Sequence, residues 1–247
     1  MHLVGALDPV RVHMIRLSAL VATSILVFAG AAQAAKAPLA IYYSFDTPVT
    51  PALLAVMESE LGRILAPSGM SAAWLPSGVP RHPGEDFPAL VVFRFQGRCG
   101  FDGPVSDAGT DSSGGALAET DTVEGHVLPF SRVNCDRVRD YIAPVLGSMP
   151  PAWTNGMLGR ALARVSAHEI YHMLAGIRIH GDRGIFQSAH SRRDLTGATF
   201  AFAAPENNWL RSWLQRQAAV EQITRALPGN PDDPVFGESG ALDAAGR

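Results

Sequence analysis

Residues 155–180 read NGMLGRALARVSAHEIYHMLAGIRIH, and this stretch decides the fold. Leu158, Ala161, Leu162, Val165 and Leu174 recur at helical spacing, and Gly176 stands where a helix C-cap belongs. His168 and His172 are i and i+4, so on a helix both imidazoles project from one face, about one turn apart. The apolar stripe leads straight into them and turns them inward. Histidines so placed reach a single Zn²⁺, while Glu169, next to the first, reaches a water on the ion rather than the ion itself. Zinc brings the pKa of such a water towards about 7, and the carboxylate takes its proton as the water attacks a carbonyl. One turn of helix thus supplies ligand, general base and ligand. The alternative is that His168 and His172 are satisfied core histidines.

A catalytic zinc needs a third protein ligand and an open position. His180 lies beyond Gly176, which ends the helix and lets the chain turn back under the metal. His190 competes for this role, as do Glu206 or Glu221 in a different layout. The expected set is one catalytic Zn²⁺ held by His168, His172 and His180, with Glu169 as general base. His82 and His126 have no motif around them and are expected at the surface or in the core. Tyr171 points away from the ligand face and is expected to pack. Trp209 and Trp213, four apart, belong to the core, and Arg192 with Arg193 reads as a solvated loop pair.

Outward from the helix, the elements alternate. Residues 39–43, LAIYY, read as a first strand ending at Asp46-Thr47-Pro48. Thr50 is a plausible N-cap with Pro51 at N1 of a helix whose apolar positions run from Leu53 to Leu65, stopped by Pro67-Ser68-Gly69. Residues 71–75 make a short strand, and 89–95, ALVVFRF, the strongest strand of the chain; its continuous apolarity implies a central place covered on both faces. Residues 103–115, rich in Gly, Ser and Asp, read as a mobile surface loop. Strands over 116–120 and 126–130 follow, joined near Glu124-Gly125, and Pro129 places the second at a sheet edge, where an extended peptide substrate would lie. A helix over 135–146, interrupted or ended near Pro144, precedes the motif helix; loop then runs to about Thr199, and a last helix spans 206–227.

The 247 residues, 47% hydrophobic and 17% charged, suffice for one sizeable core, and a net charge of −3 with no basic run gives nucleic-acid binding no support. After Arg11 and Arg16 come an apolar stretch and the small-residue series ending Ala34-Ala35, the layout of a secretory signal cleaved after Ala34; Met14 offers a cleaner start than Met1. The apolar run is shorter than the roughly 20 residues of a membrane span, so cleavage is favoured over anchoring. The expected organisation is a signal over 1–34, one catalytic domain over 35–227, and a disordered tail over 228–247. Export also favours a disulfide between Cys99 and Cys135 over a pair of buried thiols.

The string His168-Glu169-Ile170-Tyr171-His172-Met173-Leu174-Ala175-Gly176-Ile177-Arg178-Ile179-His180 resembles the extended zinc signature of metzincin metallopeptidases, H-E-x-x-H-x-x-G-x-x-H, with the glycine one place and the last histidine two places later. It is closer to H-E-x-x-H-x-x-x-G-x-x-x-H of uncharacterised secreted bacterial proteins assigned as zinc peptidases, which Leu128-Pro129-Phe130, Cys135-Asp136-Arg137-Val138 and Gly184-Ile185 also resemble. The resemblance spans about 127–195. It implies an α/β (α+β) fold: a twisted mixed sheet, an active-site helix beneath it, a cleft between, and His168, His172, His180 and Glu169 in the roles above. Where metzincins carry a methionine turn this chain has Phe186, which is expected to pack under the site. Two further readings stay open: a non-catalytic secreted zinc-binding module with a degenerate protease fold, and a structural domain without metal. The leading expectation is a secreted or periplasmic zinc peptidase acting on peptide or protein substrates, with no nucleic-acid partner and no membrane association after signal cleavage.

Overall fold

The computed structural model describes residues 38–80, 86–101 and 115–226. The expected signal over 1–34, the alternative start at Met14, His82, the loop 103–115 apart from Gly115, Leu227 and the tail 228–247 lie outside these residues. The described residues all belong to one compact unit, Lys36–Arg247. Its elements are β1 (Leu39–Phe45), α1 (Pro51–Leu65), a 3₁₀ turn (Ala66–Ser68), β2 (Ala72–Pro76), β3 (Ala89–Gln96), β4 (Ala118–Val123), β5 (His126–Asn134), α2 (Cys135–Leu146), α3 (Pro151–Ala175), α4 (Arg192–Thr196) and α5 (Ala204–Ala226). This is a mixed α/β fold, as expected.

The sheet runs β2-β1-β3-β5-β4. β1 pairs in parallel with β2 and β3, β3 pairs in parallel with β5, and β4 returns antiparallel to β5. β3 is central, yet it is covered well on one face only: Val91, Phe93 and Phe95 are buried, whereas on the other face Leu90 and Arg94 are exposed and Val92 is half-buried. The aromatic bulk of alternate residues gives this strand its apolar look, and the consecutive apolar run Ala89–Phe93 does not require two covered faces.

The sheet edge is β4, not β5. Strand β5 is paired on both sides from Phe130 onward, while Pro129 falls where the register with β4 jumps between Thr120–Ser131 and Thr122–Val127. The missing N–H of Pro129 is accommodated by that irregularity, the alternative to an edge for a strand proline.

Thr50 caps α1, accepting from the Leu53 N–H at 3.2 Å, with Pro51 in the first turn. β5 runs directly into α2, whose N-cap is the Asn134 side chain. Pro144 sits inside α2, two residues before the helix end at Leu146. α3 starts at Pro151, earlier than its apolar pattern implies, because a proline suits the first turn. It is buried all round over 161–172, not along a stripe, and even Arg164 and Ser166 are inside. The stretch read as loop up to Thr199 contains α4, started by a capping box in which Ser191 and Asp194 satisfy each other's backbone N–H groups. Arg192 and Arg193 are exposed on that helix, and Arg192 stacks 5.0 Å over Tyr141 while donating to its carbonyl. Trp213 is buried and Trp209 packs beside the core, and His126 is exposed. A disulfide joins Cys99 to Cys135.

Candidate metal centre

α3 presents His168 and His172 on one face, with ring centroids 4.7 Å apart. Gly176 ends the helix at φ 64°, a left-handed conformation open to glycine, and its N–H bonds to the His172 carbonyl at 2.9 Å. The chain then reverses, and the Ile177 carbonyl accepts a hydrogen bond from His172 Nδ1 at 2.7 Å. Three residues later His180 enters the site, its Nε2 3.2 Å from Nε2 of His172. His168 Nε2 is 3.0 Å from the same atom, and His168 Nδ1 donates to the Ile185 carbonyl at 2.8 Å. Among the described residues the group able to hold a metal ion is His168, His172 and His180, with ligand atoms all within 4.8 Å of one another.

The hydrogen bonds decide what these nitrogens offer. A carbonyl accepts only, so Nδ1 of His168 and of His172 each carries a proton, and in the neutral rings Nε2 keeps its lone pair. Burial holds the rings neutral: it pushes His168 down to about 3 and lowers His172 as well, the neighbouring histidines adding to both. Converging lone pairs in a buried site repel unless a cation lies between them. Tetrahedral zinc with Zn–N near 2.1 Å puts its nitrogens roughly 3.4 Å apart, close to the separations here. The donor set and its carbonyl partners therefore fit a zinc ion.

Phe186 forms the base of the cluster. Its buried ring lies 4.8 Å from His172, 5.5 Å from His168 and 5.8 Å from His180. Its segment is pinned by Gly181 N–H to Phe186 carbonyl at 2.9 Å and Ile185 N–H to Ala201 carbonyl at 3.0 Å. Gly184 permits that approach, since a Cβ there would stand 2.7 Å from the Ala201 oxygen. Tyr171 packs on Phe186, Phe202 and Trp209, in the core beside the cluster.

Glu169 is buried beside the histidines and outside the cluster. Burial raises its carboxyl to about 7, helped by the charge of Glu119 and opposed by a hydrogen bond from Thr120 Oγ1 to Oε2 at 2.5 Å. His190 comes within 5.2 Å of His168 ring to ring, but its Nε2 is committed to the Ile185 carbonyl at 2.7 Å. Glu206 is buried against Gly181, with Oε2 unpartnered, and Glu221 is exposed on the second half of α5; neither joins the histidines. Above the cluster lies a cleft of about 710 Å³, bounded by Ala118, Thr120 and Thr122 of β4 and by Ser188, Ala189 and His190. His180 is exposed, so the centre is reached from the cleft.

The motif named its own helix residues, but Thr120, the carbonyls of Ile177 and Ile185 and the base of Phe186 with its pinned loop belong to the site equally. Only Phe186 had a sequence signal, its place after Gly184-Ile185. No family model matches the chain, and no curated protein matches it. Among solved structures, the chain is similar to a zinc-dependent peptidase from Methanocorpusculum labreanum (strain Z), at 11% identity and a TM-score of 0.42, over 70% of this chain and 99% of that one. At that distance the chemistry of the site rests on its own residues.

Proposed function

We propose that this protein is a zinc peptidase acting outside the cytoplasm. The convergence of three Nε2 atoms, two of them fixed in the metal-binding tautomer by backbone carbonyls, carries this reading. His168, His172 and His180 hold the ion. Zinc supplies Lewis acidity, making water a stronger acid and polarising a carbonyl. Glu169 is the general base: it lines the cleft, lies beside the histidines and holds no ligand position. The cleft admits an extended chain, and the open edge of β4 offers it unpaired backbone groups. The disulfide suits an oxidising compartment, as does the signal-like N-terminus. Among the described residues no helix is long and apolar enough to cross a membrane.

The test is elemental analysis together with cleavage of fluorescein-labelled casein. Purified protein is expected to hold one equivalent of zinc and to lose hydrolysis when a chelator strips it. Glu169→Gln is expected to keep the zinc and to cut kcat by about a hundredfold to ten-thousandfold. Full activity in that variant would rule out this base. Zinc without any hydrolysis in the native protein would favour the non-catalytic zinc module, and protein free of zinc after loading would sink both.

A further inference from the structure

Residues 118–123 read AETDTV, and the alternation of a strand puts Glu119 and Asp121 on one face, Thr120 and Thr122 on the other. The first face is tied to β5 by Arg132, whose Nη2 lies 2.8 Å from Asp121 Oδ1 and 3.6 Å from Glu119 Oε2. Thr120 and Thr122 line the cleft, with Glu119 at its rim. The register jump between these two threonines also lies here; bulges of this kind re-aim side chains beside functional sites. Thr120 Oγ1 ends 2.5 Å from Glu169 Oε2, across 49 positions of sequence. A valine would serve the strand as well as threonine does, so the hydroxyl answers to something other than β-propensity.

We infer that Thr120 is a positioning residue for Glu169: from the open edge strand its hydroxyl holds one carboxylate oxygen and fixes the plane of the group relative to the histidine cluster. A glutamate has three rotatable side-chain bonds, and a buried carboxylate with no tether samples orientations that do not meet the attacking water. The Thr120 O–H donates to Oε2 and the Thr120 backbone also hydrogen-bonds the carboxylate; the hydroxyl adds the second point of attachment that sets the plane, and lone pairs are left for the proton. β4 thus has two tasks: it forms the edge of the substrate cleft, and it aims the base.

This inference rests on the peptidase reading, and its test separates the two. Thr120→Val removes the hydroxyl and keeps the shape; Thr120→Ser restores the hydroxyl. With fluorescein-labelled casein, Thr120→Val is expected to lower kcat by about tenfold, with KM within about twofold and one zinc retained, and Thr120→Ser to recover most of the loss. Thermal unfolding of the zinc-free protein supplies a readout independent of turnover. The Tm shifts of Thr120→Val and Glu169→Gln are expected to be non-additive in the double variant, as for partners in direct contact. Additive shifts, or native kcat in Thr120→Val while Glu169→Gln is inactive, would overturn the role of Thr120 and leave the peptidase reading intact. Hydrolysis surviving in Glu169→Gln would instead sink the peptidase mechanism, and the additivity of the Tm shifts would still decide the contact.

Discussion

Glu60 and Arg164 meet inside the protein, where neither charge is stable alone. Arg164 is fully buried one turn before His168; its Nε donates to Glu60 Oε1 at 2.7 Å and its Nη1 to the Asp194 carbonyl at 2.5 Å, while Arg63 adds two further bonds to Glu60. Burial alone would raise the Glu60 carboxyl, but the hydrogen bonds and charges of Arg63 and Arg164 outweigh it, so the net shift is downward. A carboxylate with a depressed folded pKa stabilises the protein above its unfolded value, about 4.3, and that contribution disappears as pH falls through the folded value. On zinc-free protein the buried neutral histidines already lower Tm as pH falls through about 6.5, so the Glu60 contribution is read as the difference between native protein and Glu60→Gln, a difference expected to shrink as pH falls below about 4. At neutral pH the same variant leaves a buried guanidinium without its anion and is expected to cost about 3–5 kcal/mol. A neutral-pH stability equal to native would show that the pair contributes nothing.

At the level of elements, the centre depends on where α3 stops. His168 and His172 are placed by the helix alone, but His180 reaches them only because the chain leaves the helix at Gly176 and reverses. Nothing crowds a Cβ at this position, so the cost of a side chain there is conformational. Gly176→Ala is expected to destabilise by about 1 kcal/mol, the penalty of a left-handed residue with a Cβ. It should also weaken zinc affinity by displacing the Ile177 carbonyl and His180. A chelator-competition titration that gave native affinity would mean that the turn does not set the ligand geometry. Glu169 shows the same dependence on an element boundary, since its partner Thr120 sits beside the irregularity of β4.

Across the whole molecule, the disulfide staples the end of β3 to the start of α2, closing a loop of 36 residues that includes the edge strand β4. Chain-entropy reasoning assigns such a loop about 3–4 kcal/mol. The double variant Cys99→Ala with Cys135→Ala is expected to lose about that much in urea unfolding, and to keep one zinc because neither sulfur belongs to the histidine group. Loss of the metal at temperatures where the variant remains folded would show that the staple shapes the site as well as the fold.

The mixed α/β class, the order of strands and helices, the cap at Thr50, the stop at Gly176 and the inward face of His168 and His172 were all legible in the chain, because each follows from local periodicity or from one residue's backbone preference. The disulfide partners needed only the signal-like N-terminus and a count of two. What the chain did not disclose is relational. Pro129 excludes an ordinary ladder position, but an edge and an irregularity satisfy it equally, and only the order β2-β1-β3-β5-β4 shows that β4 holds the edge. Apolar content in β3 looks the same whether one face is covered or two. His180 and His190 were both placed in the chain to join His168 and His172; in the fold the Ile185 carbonyl engages Nε2 of His190, and the turn after Gly176 brings His180 to the pair. Glu169 was legible as the acid beside the first histidine of the motif, whereas its tether to Thr120 joins a helix to a strand far away in sequence. Periodicity fixes which way a side chain faces, and tertiary packing alone decides what it meets there.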